Sequence, residues 1–109
     1  MSITVVPTSK AMSDLQVIRQ HVKTYNDAAT ARKTVNLLLD EAERLGQDLY
    51  HRLGEELDGY DDPPREVRRW VTTGALAGRY EWHYEVLPAF ADEPTTIALL
   101  RVWDTRQDR

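Results

Sequence analysis

Arg79-Tyr80-Glu81-Trp82-His83-Tyr84-Glu85-Val86-Leu87 is the stretch on which the fold turns. Tyr80, Trp82, Tyr84 and Val86 share one parity, and Arg79, Glu81, His83 and Glu85 share the other. That is the period-two alternation of a strand that buries one face. A turn-rich segment follows, Pro88-Ala89-Phe90-Ala91-Asp92-Glu93-Pro94, and then Thr95-Thr96-Ile97-Ala98-Leu99-Leu100-Arg101-Val102-Trp103-Asp104-Thr105-Arg106. The last run is β-branched and aliphatic without clean alternation, which predicts a central strand covered on both sides. The two runs form a hairpin whose polar face, open to solvent, carries Glu81, His83 and Glu85.

Working outward toward the N-terminus, Arg65-Glu66-Val67-Arg68-Arg69-Trp70-Val71-Thr72-Thr73 predicts another strand, joined to the hairpin by the glycine-flanked Gly74–Gly78 segment. Before it, Gly54 to Pro64 is acidic, glycine-bearing and closed by two prolines, and so predicts a loop. Its carboxylates match no calcium-loop spacing, so no metal is assigned there. Ile3-Thr4-Val5-Val6-Pro7 predicts a first strand near a sheet edge, because proline donates no ladder bond. Thr8 or Ser9 is placed to cap a helix in which Met12, Leu15, Ile18, Val22 and Tyr25 form the apolar stripe. Asn26-Asp27 breaks the pattern, and Ala28, Ala31, Val35, Leu38, Ala42, Leu45 and Leu49 predict a second helix with Gly46 near its end.

The resulting order is strand, helix, helix, strand, strand, strand: an α+β domain spanning residues 1–109, with a helical hairpin on one face of a small, mainly antiparallel sheet. Its core is expected to contain Leu38, Leu45, Tyr80, Trp82, Tyr84, Leu100 and Val102.

Composition narrows the chemistry. A chain of 109 residues suits one domain. With no cysteine there is no disulfide framework, thiolate metal site or cysteine nucleophile. No apolar run has membrane or signal-peptide character, so a cytoplasmic location is expected. The formal charge is -4, yet residues 65–109 balance seven Arg against seven Asp/Glu, and lysine stops at Lys33. Every later cation is therefore arginine, the side chain that forks onto carboxylates and phosphates and stacks on rings. Glycine-rich phosphate loops and nucleophile elbows are absent. The three histidines are dispersed, which gives a zinc site nothing to build on, and no cofactor is called for. His21 and His51 read as solvated helix-face residues. His83 instead lies between Glu81 and Glu85, where an imidazole can act as an acid or base or simply pair across strands.

The aromatic hairpin strand Tyr80–Val86 and the closing Leu99-Leu100-Arg101-Val102-Trp103-Asp104-Thr105-Arg106, taken with the element order, resemble the RelE/ParE superfamily of type II toxin-antitoxin toxins. The resemblance runs over nearly the whole chain and includes Ala42-Glu43-Arg44-Leu45 of the second helix. It implies a toxin, of the kind found in plasmid stabilisation, neutralised by an antitoxin that wraps groove and sheet, with a homodimer or a toxin-antitoxin hetero-oligomer both open. RelE-like members cut mRNA on the ribosome with basic residues on the central strands, whereas ParE-like members poison DNA gyrase. Here Glu81 replaces the arginine expected after the opening aromatic, and Asp104 stands where a histidine is common. Arg68, Arg69 and Arg106 match the remaining basic positions. The ParE-like branch is therefore favoured, with Arg68, Arg69, Arg101, Trp103 and Arg106 expected to bind antitoxin or target. The alternative is a ribosome-dependent endonuclease using His83, Arg79 and Arg106, and the third reading is a non-toxic interaction module.

Overall fold

The computed structural model describes residues 3–47 and 50–106. The elements are β1 (Thr4–Pro7), α1 (Ser9–Tyr25), α2 (Ala28–Arg44), β2 (Glu55–Glu56), β3 (Glu66–Val71), β4 (Tyr80–Leu87) and β5 (Thr96–Asp104), with 3₁₀ turns at Tyr50–Arg52 and Gly74–Leu76. The expected α+β order is present, with one addition. β2 lies in the acidic segment read as loop, where Glu55 pairs opposite Arg69 and Glu56 opposite Arg68. Opposite charges directly across a rung favour pairing, and a strand this short makes a blunt edge.

The sheet runs β1-β5-β4-β3-β2. β1 is parallel to β5, and the other pairs are antiparallel. A parallel neighbour at one edge requires a crossover, which α1 and α2 supply while covering one face. Thr8 caps α1 by accepting the Ala11 N–H at 3.3 Å. Asp27 caps α2 by accepting the Thr30 N–H at 2.7 Å, a bond that holds its carboxyl below the usual range.

The buried stripe of α1 is Ala11, Leu15, Ile18 and Val22. Met12 and Tyr25, expected inward, are exposed. Ala11, fully buried, takes the inward position at the start of the helix, and its neighbour Met12 faces solvent. Tyr25 packs instead on the His21 ring at 4.7 Å between centroids. In α2 the buried residues are Ala31, Leu38, Glu41 and Ala42, continued by Leu45. Ala28 is exposed and Val35 only partly buried, while Leu49 lies outside the described residues.

The missing alternation in the last strand has a local cause. Between His83 and Tyr84 the register jumps from His83↔Arg101 to Tyr84↔Leu99, so Leu100 is an extra residue in β5. A bulge of this kind reverses parity along one strand. Ile97 and Leu99 are buried before it, and Val102 after it. Leu100, expected in the core, is therefore only partly buried and Leu99 takes the place. The carbonyls at the bulge are not orphaned, because the Thr8 hydroxyl donates to Leu99 O at 2.8 Å and Leu100 O at 3.2 Å.

The core otherwise gathers the expected side chains, with Leu38, Leu45, Tyr80, Trp82, Tyr84 and Val102 in one cluster. The opposite face is less open than expected. Val67 and Glu81 are buried there, and His83 and Glu85 are partly buried.

Candidate functional site

Cross-strand register aligns the far-face polar residues. Glu55 pairs with Arg69, Arg69 with His83, and His83 with Arg101, giving one continuous rung over β2, β3, β4 and β5. Residues directly opposite in a sheet share a face, so Arg69, His83 and Arg101 project to the same side. Trp103 sits on the neighbouring rung, opposite Glu81.

Contacts along the rung are charge-paired. The Arg69 guanidinium donates to the Glu55 carboxylate at 2.5 Å and lies 3.9 Å from buried Glu81. His83 Nε2 is 3.1 Å from the Glu81 carboxylate, and its ring meets Trp103 edge-on at 4.4 Å. Arg101 lies over the Trp103 ring at 5.8 Å. It also forks onto Asp14 of α1 at 2.7 and 3.1 Å, which raises its pKa further. What emerges is a surface of aromatic rings and neutralised arginines, set on strands rather than loops.

The nuclease alternative asks for Arg79, His83 and Arg106 at one point, and the structure does not bring them together. Tyr80 pairs with Asp104 three residues along β4 from His83, about 10 Å at the usual strand rise. Asp104 lines a small cleft with Val17, Ile18, His21 and Tyr80 on the helix side. Arg106 forks back onto Asp104 at 3.2 and 3.1 Å. Burial pushes the Asp104 pKa up, but the hydrogen bonds and charge of Arg106, aided by Arg79, outweigh it and leave the carboxyl below its ordinary value. Arg79 is exposed and lies over the Tyr80 ring at 5.5 Å.

Arg68 and Arg69 are adjacent in sequence and so point to opposite faces of β3. Arg68 pairs opposite core Tyr84 on the helix side and donates to Glu66 at 2.6 Å. It therefore belongs to a different surface from Arg69, Arg101 and Trp103. Arg65 likewise forks onto Glu85, at 2.9 and 2.8 Å.

Sequence reading passed over buried Glu41 and took buried His51 for a solvated residue. Glu41 accepts from Trp70 Nε1 at 2.9 Å and from the Thr73 amide and hydroxyl at 2.5 and 2.7 Å, locking α2 to the end of β3. A signal for it exists: it sits between Leu38 and Ala42 on the apolar stripe, where a carboxylate needs partners. For His51, buried rather than solvated, no local signal exists. Among the described residues no group of three or more His, Asp or Glu is arranged to hold a metal ion, and no helix is long and apolar enough to cross a membrane.

No family model matches the chain, and no curated protein does. Among solved structures, a chain of the chromosomal ParDE TA system from P. aeruginosa aligns with TM-score 0.68 at 18% identity, over 94% of this chain and 96% of that one. The alignment spans nearly the whole of both chains, and the two share a fold.

Proposed function

We propose that this chain is the toxin of a type II toxin-antitoxin pair, ParE-like in action, which binds a protein target, DNA gyrase, and is neutralised by a cognate antitoxin in the cytoplasm. The observation that carries the reading, beside the shared fold, is that Arg68, Arg69, Arg101 and Arg106 each already hold an intramolecular carboxylate. RNA binding gains its affinity by neutralising phosphates with unoccupied cations. A face of paired charges and rings offers little of that, and it suits the polar, aromatic-rich contacts of a protein interface. Arg69, Arg101 and Trp103 are the central contact residues in this proposal, and Arg68 and Arg106 engage the partner from flanking surfaces.

Expression in bacteria should therefore give DNA-damage signs with cellular mRNA intact, and the purified chain should block supercoiling by gyrase. Trp103→Ala should weaken that block strongly, as loss of an aromatic anchor does, by roughly 2 kcal/mol or more. Ribosome-dependent mRNA cleavage that disappears in His83→Ala would replace this reading with the endonuclease.

A further inference from the structure

In the C-terminal half of α2, where the helix meets the Gly74–Leu76 turn, lies a cavity of about 120 Å³. One ridge of the helix lines it, with Leu37, Asp40, Glu41 and Arg44 spaced three and four residues apart, and Thr73 to Leu76 close the other side. It is on the helix side of the sheet, away from the rung of Arg69, His83 and Arg101, and the toxin reading makes no use of it. Glu41 is 7% exposed, a depth at which a carboxylate needs partners for its lone pairs. All of those partners fall on one oxygen. Oε1 accepts from Trp70 Nε1, the Thr73 amide and the Thr73 hydroxyl. Oε2 accepts from no group among the described residues, and it is not closed to solvent. Because Glu41 is a wall of the cavity, the cavity is what Oε2 opens onto.

The charges around that opening limit what it can receive. Asp40 and Glu41 bring two formal negative charges and Arg44 one positive, so the lining carries one uncompensated negative charge. Among the described residues Arg44 forms no ion pair with either carboxylate, and its guanidinium lies over the Tyr50 ring at 5.4 Å. The balance favours a cation. With Oε1 engaged three times, Glu41 presents a single acceptor, which suits the point charge of an ammonium and denies a guanidinium the two oxygens its fork prefers. Leu37, Ala75 and buried Leu76 give the walls apolar surface for an alkyl stem. The volume is well below the roughly 300 Å³ at which pockets for whole small molecules begin, so it suits one side chain presented by a larger partner.

We propose that this cavity receives one lysine side chain of a protein partner, whose ammonium donates to Glu41 Oε2 in the field of Asp40 while its stem lies on Leu37 and Ala75.

The test is a titration of ¹³C,¹⁵N-labelled protein, following the Glu41 carboxyl carbon and the amides of Ala75 and Leu76 by NMR. The Trp70 indole N–H reports whether the tie between α2 and β3 is intact. The probes are the blocked tripeptide acetyl-Ala-Lys-Ala-amide, its norleucine and arginine analogues, butylammonium chloride, magnesium chloride, and sodium chloride at matched ionic strength. Saturable shifts are expected with the lysine peptide and butylammonium, and none with the norleucine peptide or sodium chloride. Glu41→Gln keeps a carbonyl oxygen for the three donors of Trp70 and Thr73 and turns an NH₂ into the cavity. It should weaken the lysine peptide about ten-fold, the loss of one charge-assisted bond, with the Trp70 signal in place. Asp40→Asn, a change at an exposed side chain, should weaken it about three-fold. Butylammonium binding without the peptide would overturn the protein partner. Tighter response to the arginine analogue would overturn the ammonium, and tighter response to magnesium the organic cation. No saturable response, or equal affinity in wild type and Glu41→Gln, would leave Glu41 as a structural tie alone and overturn the site. Should Glu41→Gln lose the Trp70 signal, equal affinity in wild type and Asp40→Asn overturns it instead.

Discussion

The carboxylate of Asp14 joins α1 to β5 at two points, accepting the Arg101 guanidinium at 2.7 Å and the Val102 backbone N–H at 3.1 Å. β1 ends its pairing at Pro7↔Leu99, so among the described residues the outer edge of β5 has no strand partner beyond the bulge. Asp14 stands in for the missing strand at Val102, and its bond to Arg101 follows from that placement. The two contacts differ in worth. The Arg101 side chain is 46% exposed, so its ion pair is screened by solvent and contributes at most about 1 kcal/mol. The amide belongs to buried Val102, where loss of the Asp14 acceptor carries the cost of a buried donor losing its hydrogen bond. Asp14→Ala should therefore destabilise by about 1–3 kcal/mol and Arg101→Ala by under about 1, as read from urea unfolding. Equal losses would mean that the ion pair, rather than the amide, holds α1 in place.

The bulge makes a second pair of unequal substitutions. Leu99 is 2% exposed within the core cluster, whereas Leu100 is the extra residue and only partly buried. Leu99→Ala should destabilise by about 2–5 kcal/mol, and Leu100→Ala by clearly less. Unfolding midpoints of the two variants decide between this register and the simple alternation that would bury Leu100 instead.

These two residues also show where sequence reading succeeds and where it stops. Tyr80, Trp82, Tyr84 and Val86 declare their face because nothing interrupts the pleat, and Thr8 and Asp27 declare helix starts because a cap acts within three residues of itself. In β5 the same pleat is shifted at Leu100, so Leu99, Leu100 and Val102 look like a continuous apolar run. β2 could not be found from its own two glutamates, because what makes them a strand is Arg69 and Arg68 on β3. The layout of the candidate surface was hidden for the same reason. The arginines were legible as a group, but the pairing of Arg101 with Asp14 spans 87 positions, and the rung of Arg69, His83 and Arg101 exists only once the register is set. Of the parts that matter to function, Trp103 and the arginines were visible as types, and their neutralisation was not.

Gly54 is required by space rather than by backbone conformation. A Cβ there would overlap the Tyr84 hydroxyl and come within 2.9 Å of the Arg69 carbonyl. Tyr84 is fully buried and committed to His51 O, so it has nowhere to move. Gly54→Ala should destabilise by about 1–3 kcal/mol through overpacking. In a Tyr84→Phe background the hydroxyl overlap is gone while the ring carbon and the Arg69 carbonyl stay at 2.9 Å, so the same substitution should lose part of its effect. A double-mutant cycle measures this coupling, and strict additivity would place the strain at the Arg69 carbonyl and the ring carbon instead of the hydroxyl.

The pH dependence of stability should carry a signature of His51. Burial is the main cause that lowers its pKa; Arg52 and Arg68 lower it further, and Glu66 opposes them. Asp92 is the other ionisable group lining the pocket beside His51. In the unfolded chain the ring titrates at about 6.5, so below that pH the unfolded state binds a proton that the folded state refuses. Stability is thus fully present above the unfolded value and declines as the pH falls from about 6.5 toward the folded pKa, below which both states are protonated and the loss levels off. His51→Asn replaces the ring with a side chain that does not titrate and should flatten this part of the curve. Thermal midpoints of wild type and variant between about pH 7.5 and 5 provide the comparison. Parallel curves would show that some other group governs the acid limb, since a neutral, buried His51 must contribute a slope that its removal abolishes.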